Sequence, residues 1–160
     1  MATTVEPLRS SVTVRRSPAD AYRLFTRDMG AWWPLEIHSL AADEHGGRVR
    51  VTSLEFEERV GGHILERMSN GSEGSWGTVL VWEPPSRVVL AWKPNTDDRP
   101  PTELEVRFTP EAGGTLVELV HRGWERLGEI AERARAEYGQ GWGGVLSRFA
   151  AAADMEEEAS

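Results

Sequence analysis

Cysteine is absent from the 160 residues. That excludes disulfides, thiolate metal sites and cysteine nucleophiles together, and it suits a reducing compartment, so the expectation is a cytoplasmic protein. No apolar run approaches the ~20 residues that a membrane-spanning helix needs, so no membrane segment is expected. Residues 1–11 lack a basic stretch followed by an apolar core, so no secretory signal is expected either. Positive charge is scarce: 18 Lys and Arg stand against 26 Asp and Glu, a formal net charge of -8. Such a chain offers little of the clustered basic surface that grips phosphates, which argues against nucleic acid as a partner. The four histidines, His38, His45, His63 and His121, form neither an HExxH nor a short His-x-His pair. No nucleophile elbow or dinucleotide fingerprint occurs, and Gly61-Gly62 leads into a strand-like stretch where a phosphate loop needs a helix. No metal and no cofactor are therefore expected. There is no internal repeat and no low-complexity linker, and the length suits one domain over residues 1–160, with frayed tails at 1–7 and 155–160.

Tryptophan, in contrast, is abundant: Trp32, Trp33, Trp76, Trp82, Trp92, Trp124 and Trp142. Each brings a large apolar surface and a single N–H donor that needs an acceptor when buried.

Residues 8–16 alternate, with Leu8, Ser10, Val12 and Val14 on one side, and predict a first strand. Ser17 precedes Pro18 at a first helical position with Asp20 in the first turn, and Ala21, Leu24 and Phe25 follow at helical spacing. This predicts a short helix ending near Arg27. Residues 28–33 predict a second helical turn, stopped by Pro34. Residues 35–47 have no sustained period and read as a loop. From residue 48 onward strands alternate with turns, near 48–59, 63–69, 75–83, 87–93, 102–109 and 115–122, which is the pattern of an antiparallel meander.

Two hairpins can be registered from their side chains, because a slip of one residue turns every side chain to the wrong face. Glu83 opposite Arg87 places Trp82 opposite Val88, Leu80 opposite Leu90 and Thr78 opposite Trp92. Thr109 opposite Leu116 places Phe108 opposite Val117, Val106 opposite Leu119 and Leu104 opposite His121, with Arg107 facing Glu118 outside. Residues 125–155 keep a helical period through Ile130, Ala134, Tyr138, Trp142, Val145, Leu146, Phe149 and Ala153. Gly139, Gly141, Gly143 and Gly144 interrupt it, which predicts either a bend near Gln140 or close approach to the sheet.

This order of strand, two short helices, six-strand meander and long helix resembles the α+β helix-grip fold of the START-like superfamily, also called SRPBCC or polyketide-cyclase-like. Several segments, in this order and spacing, look like bacterial AHSA-type proteins. They are Ser17-Pro18-Ala19-Asp20-Ala21-Tyr22, Trp32-Trp33-Pro34, Gly61-Gly62-His63-Ile64-Leu65-Glu66-Arg67, Gly74-Ser75-Trp76-Gly77, Trp82-Glu83-Pro84-Pro85, Trp92, His121-Arg122-Gly123-Trp124 and Gly141-Trp142. Those proteins are homologues of the C-terminal domain of the heat-shock-protein-90 ATPase activator, and the resemblance covers about residues 8–154. It implies a curved sheet of about seven strands wrapped around the C-terminal helix, with a cavity between them. It implies no reaction, since the superfamily hosts carriers, receptors, cyclases and co-chaperone domains. The activator's separate client-docking domain has no counterpart in these residues, which weighs against a chaperone partner.

The expected cavity walls are Trp76, Leu80, Trp82, Leu90 and Trp92 from the first hairpin and Val106, Phe108 and Leu119 from the second. Trp142, Leu146 and Phe149 of the helix close it. His121, Glu66 and His38 are the polar minority, and Tyr22 and Tyr138 are candidates for hydroxyls at the rim. Glu66, between Ile64 and Met68 on an apolar face, is either functional or paired, with His38, Arg67 or a tryptophan N–H as partner. The leading expectation is a domain that binds a small hydrophobic or aromatic molecule without catalysis. The first alternative is a cofactor-independent cyclase, dehydratase or hydrolase using His121 or Glu66 as acid/base. The second is a stress- or chaperone-associated adaptor. Homodimerisation stays open.

Overall fold

Alternation in the first strand survives folding as β1 (Leu8–Val14), whose burial alternates along its length. Ser17 then caps α1 (Pro18–Phe25), its hydroxyl accepting from the Asp20 N–H at 3.2 Å. A short 3₁₀ turn, Met29–Ala31, follows where the sequence predicts a second helical turn. The structure, a computed structural model, describes residues 5–45, 48–94 and 99–159.

Residues 35–45 are not all loop: α2 (Leu40–His45) forms within them, while 46 and 47 lie outside the described residues. Its first N–H groups are satisfied from far away in sequence. Leu40 and Ala41 donate to the two carboxylate oxygens of Glu66, each at 2.8 Å, and Ala42 donates to the Ser39 hydroxyl at 3.0 Å. A six-residue helix is too short to stand on propensity, so this borrowed cap explains why periodicity misses it.

The meander comprises β2 (Val51–Phe56), β3 (His63–Met68), β4 (Glu73–Glu83), β5 (Arg87–Trp92), β6 (Thr102–Glu111) and β7 (Gly114–Arg122). With β1 they form one antiparallel sheet in the order β1-β7-β6-β5-β4-β3-β2, curled into a half-barrel against the long helix α3 (Ala131–Ala159). This is the α+β helix-grip architecture.

The β6–β7 register is the expected one throughout, from Leu104 opposite His121 to Thr109 opposite Leu116, with Arg107 facing Glu118. The β4–β5 register agrees only near the turn. Glu83 faces Arg87 and Trp82 faces Val88, but a bulge between Val79 and Val81 then puts Val79, not Leu80, opposite Leu90, and Gly77, not Thr78, opposite Trp92. The bulge coincides with bonds from Val79 N–H to Gly62 O (2.8 Å) and from Gly61 N–H to Val79 O (2.9 Å), which tie this point of β4 to the β2–β3 turn. Leu80 is consequently turned outward, 43% exposed, and is no cavity wall. Gly77 is required on its strand, since a Cβ there would lie 2.0 Å from Ala91 O.

The helical segment breaks near its start rather than at Gln140. Trp124–Ile130 is 3₁₀, Gly128 adopts a non-helical conformation (φ 63, ψ −127), and α3 then runs unbroken through all four glycines to Ala159. Neither expectation for those glycines is met: the helix does not bend at Gln140, and a Cβ would make only ordinary contact, 3.5 Å from Leu8 of β1 at Gly139 and 3.7 Å from the His38 ring at Gly141, with nothing within 4 Å at Gly143 or Gly144. Residues 1–4 and 160 lie outside the described residues. Among the described residues no helix is long and apolar enough to cross a membrane.

The core fills the concave side. Phe25 of α1 meets Phe149 of α3 at 5.3 Å between ring centroids and Phe108 of β6 at 6.0 Å, and Leu90, Val106, Leu119 and Leu146 are fully buried around them.

Candidate functional site

One end of the concave side is not filled. Between α3, strands β4 and β5, and the corner leading into α2 lies a half-open cleft of about 310 Å³. Trp33, His38 and Ser39 line it from the corner, Trp76 and Trp92 from the sheet, and Pro94 and Arg99 from beyond β5. α3 contributes Glu137, Tyr138, Gly141, Trp142 and Val145. The walls are mainly aromatic. Trp33 lies 5.1 Å from Trp76 and 6.0 Å from Trp142, Trp92 lies 5.7 Å from Trp142, and Tyr138 stacks on Trp142 at 6.0 Å.

Three of the four cleft indoles are fixed by their N–H groups. Trp33 donates to His38 O at 2.8 Å, Trp76 to Glu66 Oε1 at 2.7 Å, and Trp142 to His121 Nδ1 at 3.1 Å. The fourth, Trp92, is 3% exposed, and its N–H is the one buried side-chain donor among the described residues that has no hydrogen-bond partner.

Glu66 is wholly buried and accepts three N–H donors, from Leu40, Ala41 and Trp76. One carboxylate thus fixes a cleft wall and the start of α2 together. Of the three partners anticipated for it, the tryptophan N–H is the one found. Gly74 lets α2 dock here, since a Cβ on it would come within 2.3 Å of Leu40 Cδ1.

His121 is fully buried between Trp124 (4.1 Å), Tyr138 (4.7 Å) and Trp142 (5.7 Å). Its tautomer follows from its neighbours: an indole can only donate, so Nδ1 is the acceptor and Nε2 carries the proton. Nε2–H then donates to Thr102 Oγ1 at 2.6 Å, and that hydroxyl passes its own proton to Trp92 O at 3.3 Å. Burial pushes the His121 pKa down to about 3, so the ring is neutral at ordinary pH. Both nitrogens are engaged, and His121 stands behind the cleft wall rather than in it.

The sequence-derived set therefore divides. Trp76, Trp92, Trp142 and His38 meet at the cleft, with Glu66 and His121 one layer behind them. Leu90, Val106, Phe108, Leu119, Leu146 and Phe149 are core, and none of them lines the cleft. Trp82 is half-buried against Tyr22 (5.1 Å) and Phe56 (5.9 Å), elsewhere on the sheet. Tyr22 is not a rim group: its buried hydroxyl donates to Arg87 O at 3.0 Å, and burial raises its pKa. Trp82 and Tyr22 do border a more open notch of about 530 Å³, but its two arginines are spoken for, Arg23 by Asp20 and Arg27 by Glu58. Sequence reasoning missed Trp33, Ser39, Arg99, Glu137 and Val145. The Trp32-Trp33 pair was the available signal, but its position at the end of a 3₁₀ turn carries no period that says which ring faces inward. Among the described residues no three His, Asp or Glu side chains group as a metal site.

Solved structures with this fold are numerous. One, described as an anthrahydroquino-gamma-pyrone synthase, Txn09, complexed with SUM, is 33% identical, covers 92% of this chain and 96% of its own, and has a TM-score of 0.61. CalU16 from Micromonospora echinospora is 22% identical over 89% of this chain and 72% of its own, with a TM-score of 0.55. The Aha1 dimer from Colwellia psychrerythraea is 17% identical over 94% and 97%, with a TM-score of 0.63. No curated protein matches the chain. The profile of one family spans residues 15–154, nearly all the elements described above, and the chain belongs to that family, the Activator of Hsp90 ATPase homolog 1-like proteins.

Proposed function

We propose that this protein binds a small, flat aromatic molecule in the tryptophan cleft between α3 and the sheet. The observation that carries this reading is the convergence of four indoles and Tyr138 on a half-open space that the core leaves unfilled. At about 310 Å³ the cleft is at the small end of the roughly 300–1,000 Å³ usual for ligand pockets, which suits a few fused rings. Rigid aromatic walls lose little conformational freedom when a planar ring enters, so apolar burial and ring contacts supply affinity. His38, Arg99 and Glu137 make the mouth polar.

The direct test is a titration with a flat tricyclic aromatic, followed by tryptophan emission and calorimetry. Saturable quenching with a one-to-one stoichiometry is expected. Gly141→Leu adds bulk at the cleft beside His38 on a helix that tolerates it, and is expected to weaken binding by about tenfold or more with the fold retained. Absence of saturable binding in the parent chain sinks the proposal.

A second reading, a cofactor-independent ring-forming enzyme, is favoured by the 33% identity to a protein described as a synthase. In that case His38, which lines the cleft, is the better acid/base candidate, with His121 and Glu66 acting as positioning residues behind the wall. Turnover abolished by His38→Ala with binding intact would support it, and turnover unchanged in that variant would remove His38 from the reaction.

A further inference from the structure

Depth divides the cleft lining by chemistry. The four indoles are buried, whereas His38, Arg99 and Glu137 are exposed and so stand at the mouth. The buried wall has its polar groups committed within the protein. The N–H groups of Trp33, Trp76 and Trp142 are each bonded within 3.1 Å, and the unpaired Trp92 N–H is sealed from solvent, out of reach of anything that enters. The backbone oxygens there are taken as well. Trp76 O accepts the Lys93 N–H at 2.8 Å, Trp92 O accepts the Thr102 hydroxyl at 3.3 Å, and His38 O accepts the Trp33 indole N–H. Ser39, buried at the corner, holds its hydroxyl against the Ala42 N–H at 3.0 Å. Among the described residues the wall thus offers a ligand aromatic carbon, and the exposed polar side chains lie at the opposite end.

We infer that the cleft takes a planar polycyclic aromatic one way round, with a bare hydrocarbon edge against the indoles and its oxygen substituents gathered on the opposite edge, facing out. This rests on the cleft being the ligand site. A polar ligand atom pressed against the indole wall loses its water and gains no partner, which costs affinity, while the same atom at the mouth keeps water or meets a polar side chain. The favoured class is an aromatic oxygenated along one edge. The disfavoured class carries the same oxygens at both ends, since either way round one of them is driven to the wall.

The test uses two isomers, 2,3-bis(hydroxymethyl)anthracene and 2,6-bis(hydroxymethyl)anthracene, equal in formula, charge and polar groups and differing only in whether the two alcohols share one end. Each is titrated calorimetrically into the whole chain. The 2,3-isomer is expected to bind at least about tenfold tighter, and Gly141→Leu to weaken it by a similar factor. Equal affinities, or a preference for the 2,6-isomer, overturn the one-way inference and leave the aromatic cleft standing. No binding of either isomer, or affinities untouched by Gly141→Leu, overturns both. Should that variant fail to fold, nuclear Overhauser contacts in the complex of the parent protein with the 2,3-isomer decide. Protons of the unsubstituted end ring are expected to contact the Trp76 and Trp92 ring protons. Contacts to those indoles from the hydroxymethyl protons instead overturn the inference and keep the cleft, and contacts to no cleft residue overturn both.

Discussion

His121 and Glu105 sit on neighbouring strands, nearly side by side, and on opposite faces of the same sheet. His121 of β7 lies opposite Leu104, and the next residue of β6, Glu105, lies opposite Val120. Both are buried, at 0% and 3% exposure. On the concave face the histidine is packed among aromatic rings and held by neutral hydrogen bonds, with no opposing charge, so burial pushes its pKa down to about 3 and keeps the ring uncharged at ordinary pH. On the convex face burial alone would raise the Glu105 pKa, but hydrogen bonds from Arg107 (2.5 Å), Arg87 (2.7 Å) and Arg122 (2.7 Å) outweigh it and hold the carboxyl down to about 2. The same sheet thus keeps one polar group neutral and the other ionised. What decides is the charge of the nearest donors, and only the neutral side is compatible with an aromatic cleft.

The largest effect expected from disturbing this pair is on the concave face. His121→Ala removes a ring from between Trp124, Tyr138 and Trp142 and orphans the Trp142 N–H. Denaturant unfolding should show a loss of about 3–5 kcal/mol, and His121→Phe, which restores volume but not the bonds, should recover about half. Equal losses in the two variants would mean that volume counts for nothing there and the hydrogen bonds for everything. On the convex face Glu105→Gln leaves three guanidinium groups facing one another. These arginines are one-third to three-fifths exposed, so solvent screens the repulsion, and the loss should be about 2–3 kcal/mol, smaller in high salt. A salt response as strong in His121→Phe as in Glu105→Gln would erase the distinction between the faces.

Glu66→Gln probes the third buried polar group. The amide nitrogen would point a donor at the N–H of Leu40, Ala41 or Trp76, so α2 should loosen and Trp76 emission shift, with a stability loss of about 2 kcal/mol. Ligand affinity should fall as well, because Ser39 and Trp76 both line the cleft. Unchanged affinity would show that the corner into α2 is not part of the binding wall.

Acid separates the two faces by window. The His121 pKa falls from 6.5 unfolded to about 3 folded, so the unfolded state takes up a proton first as pH drops. Stability then falls from below pH 6.5 until about pH 3, by up to about 1.4 kcal/mol per unit. Glu105, at 4.5 unfolded and about 2 folded, contributes stability above 4.5 that is lost as pH falls toward 2. Melting temperatures between pH 6.5 and 4.5 should therefore lose most of their slope in His121→Phe and keep it in Glu105→Gln.

The comparison also explains what was legible from sequence. The β6–β7 hairpin was registered to the residue because its side chains alternate strictly, and because Arg107 and Glu118 mark the outer face. Trp76, Trp92 and Trp142 were recognisable as cleft walls from their large size on inward positions. Glu66 and His121 stood out as polar groups on apolar faces, but their work is to hold indoles, which depends on rings brought together from distant segments. Helix α2 and Trp33 were not legible, because a carboxylate 26 residues from Leu40 caps the one and a 3₁₀ turn aims the other.

Leu80 is where local alternation misleads, and it supplies the smallest predicted effect. A strand of strict period two would bury it opposite Leu90, and truncating a core leucine costs about 2–5 kcal/mol. The bulge between Val79 and Val81 instead turns it out, at 43% exposure, where substitutions stay within about 0.5 kcal/mol. Leu80→Ser should therefore leave the unfolding midpoint almost unchanged, while Leu90→Ala, one strand away and fully buried, shows the full core penalty. A core-sized loss at Leu80 would mean that β4 pairs with β5 in the unbulged register. Thr78 would then replace Gly77 opposite Trp92, and the sheet side of the cleft would have to be redrawn.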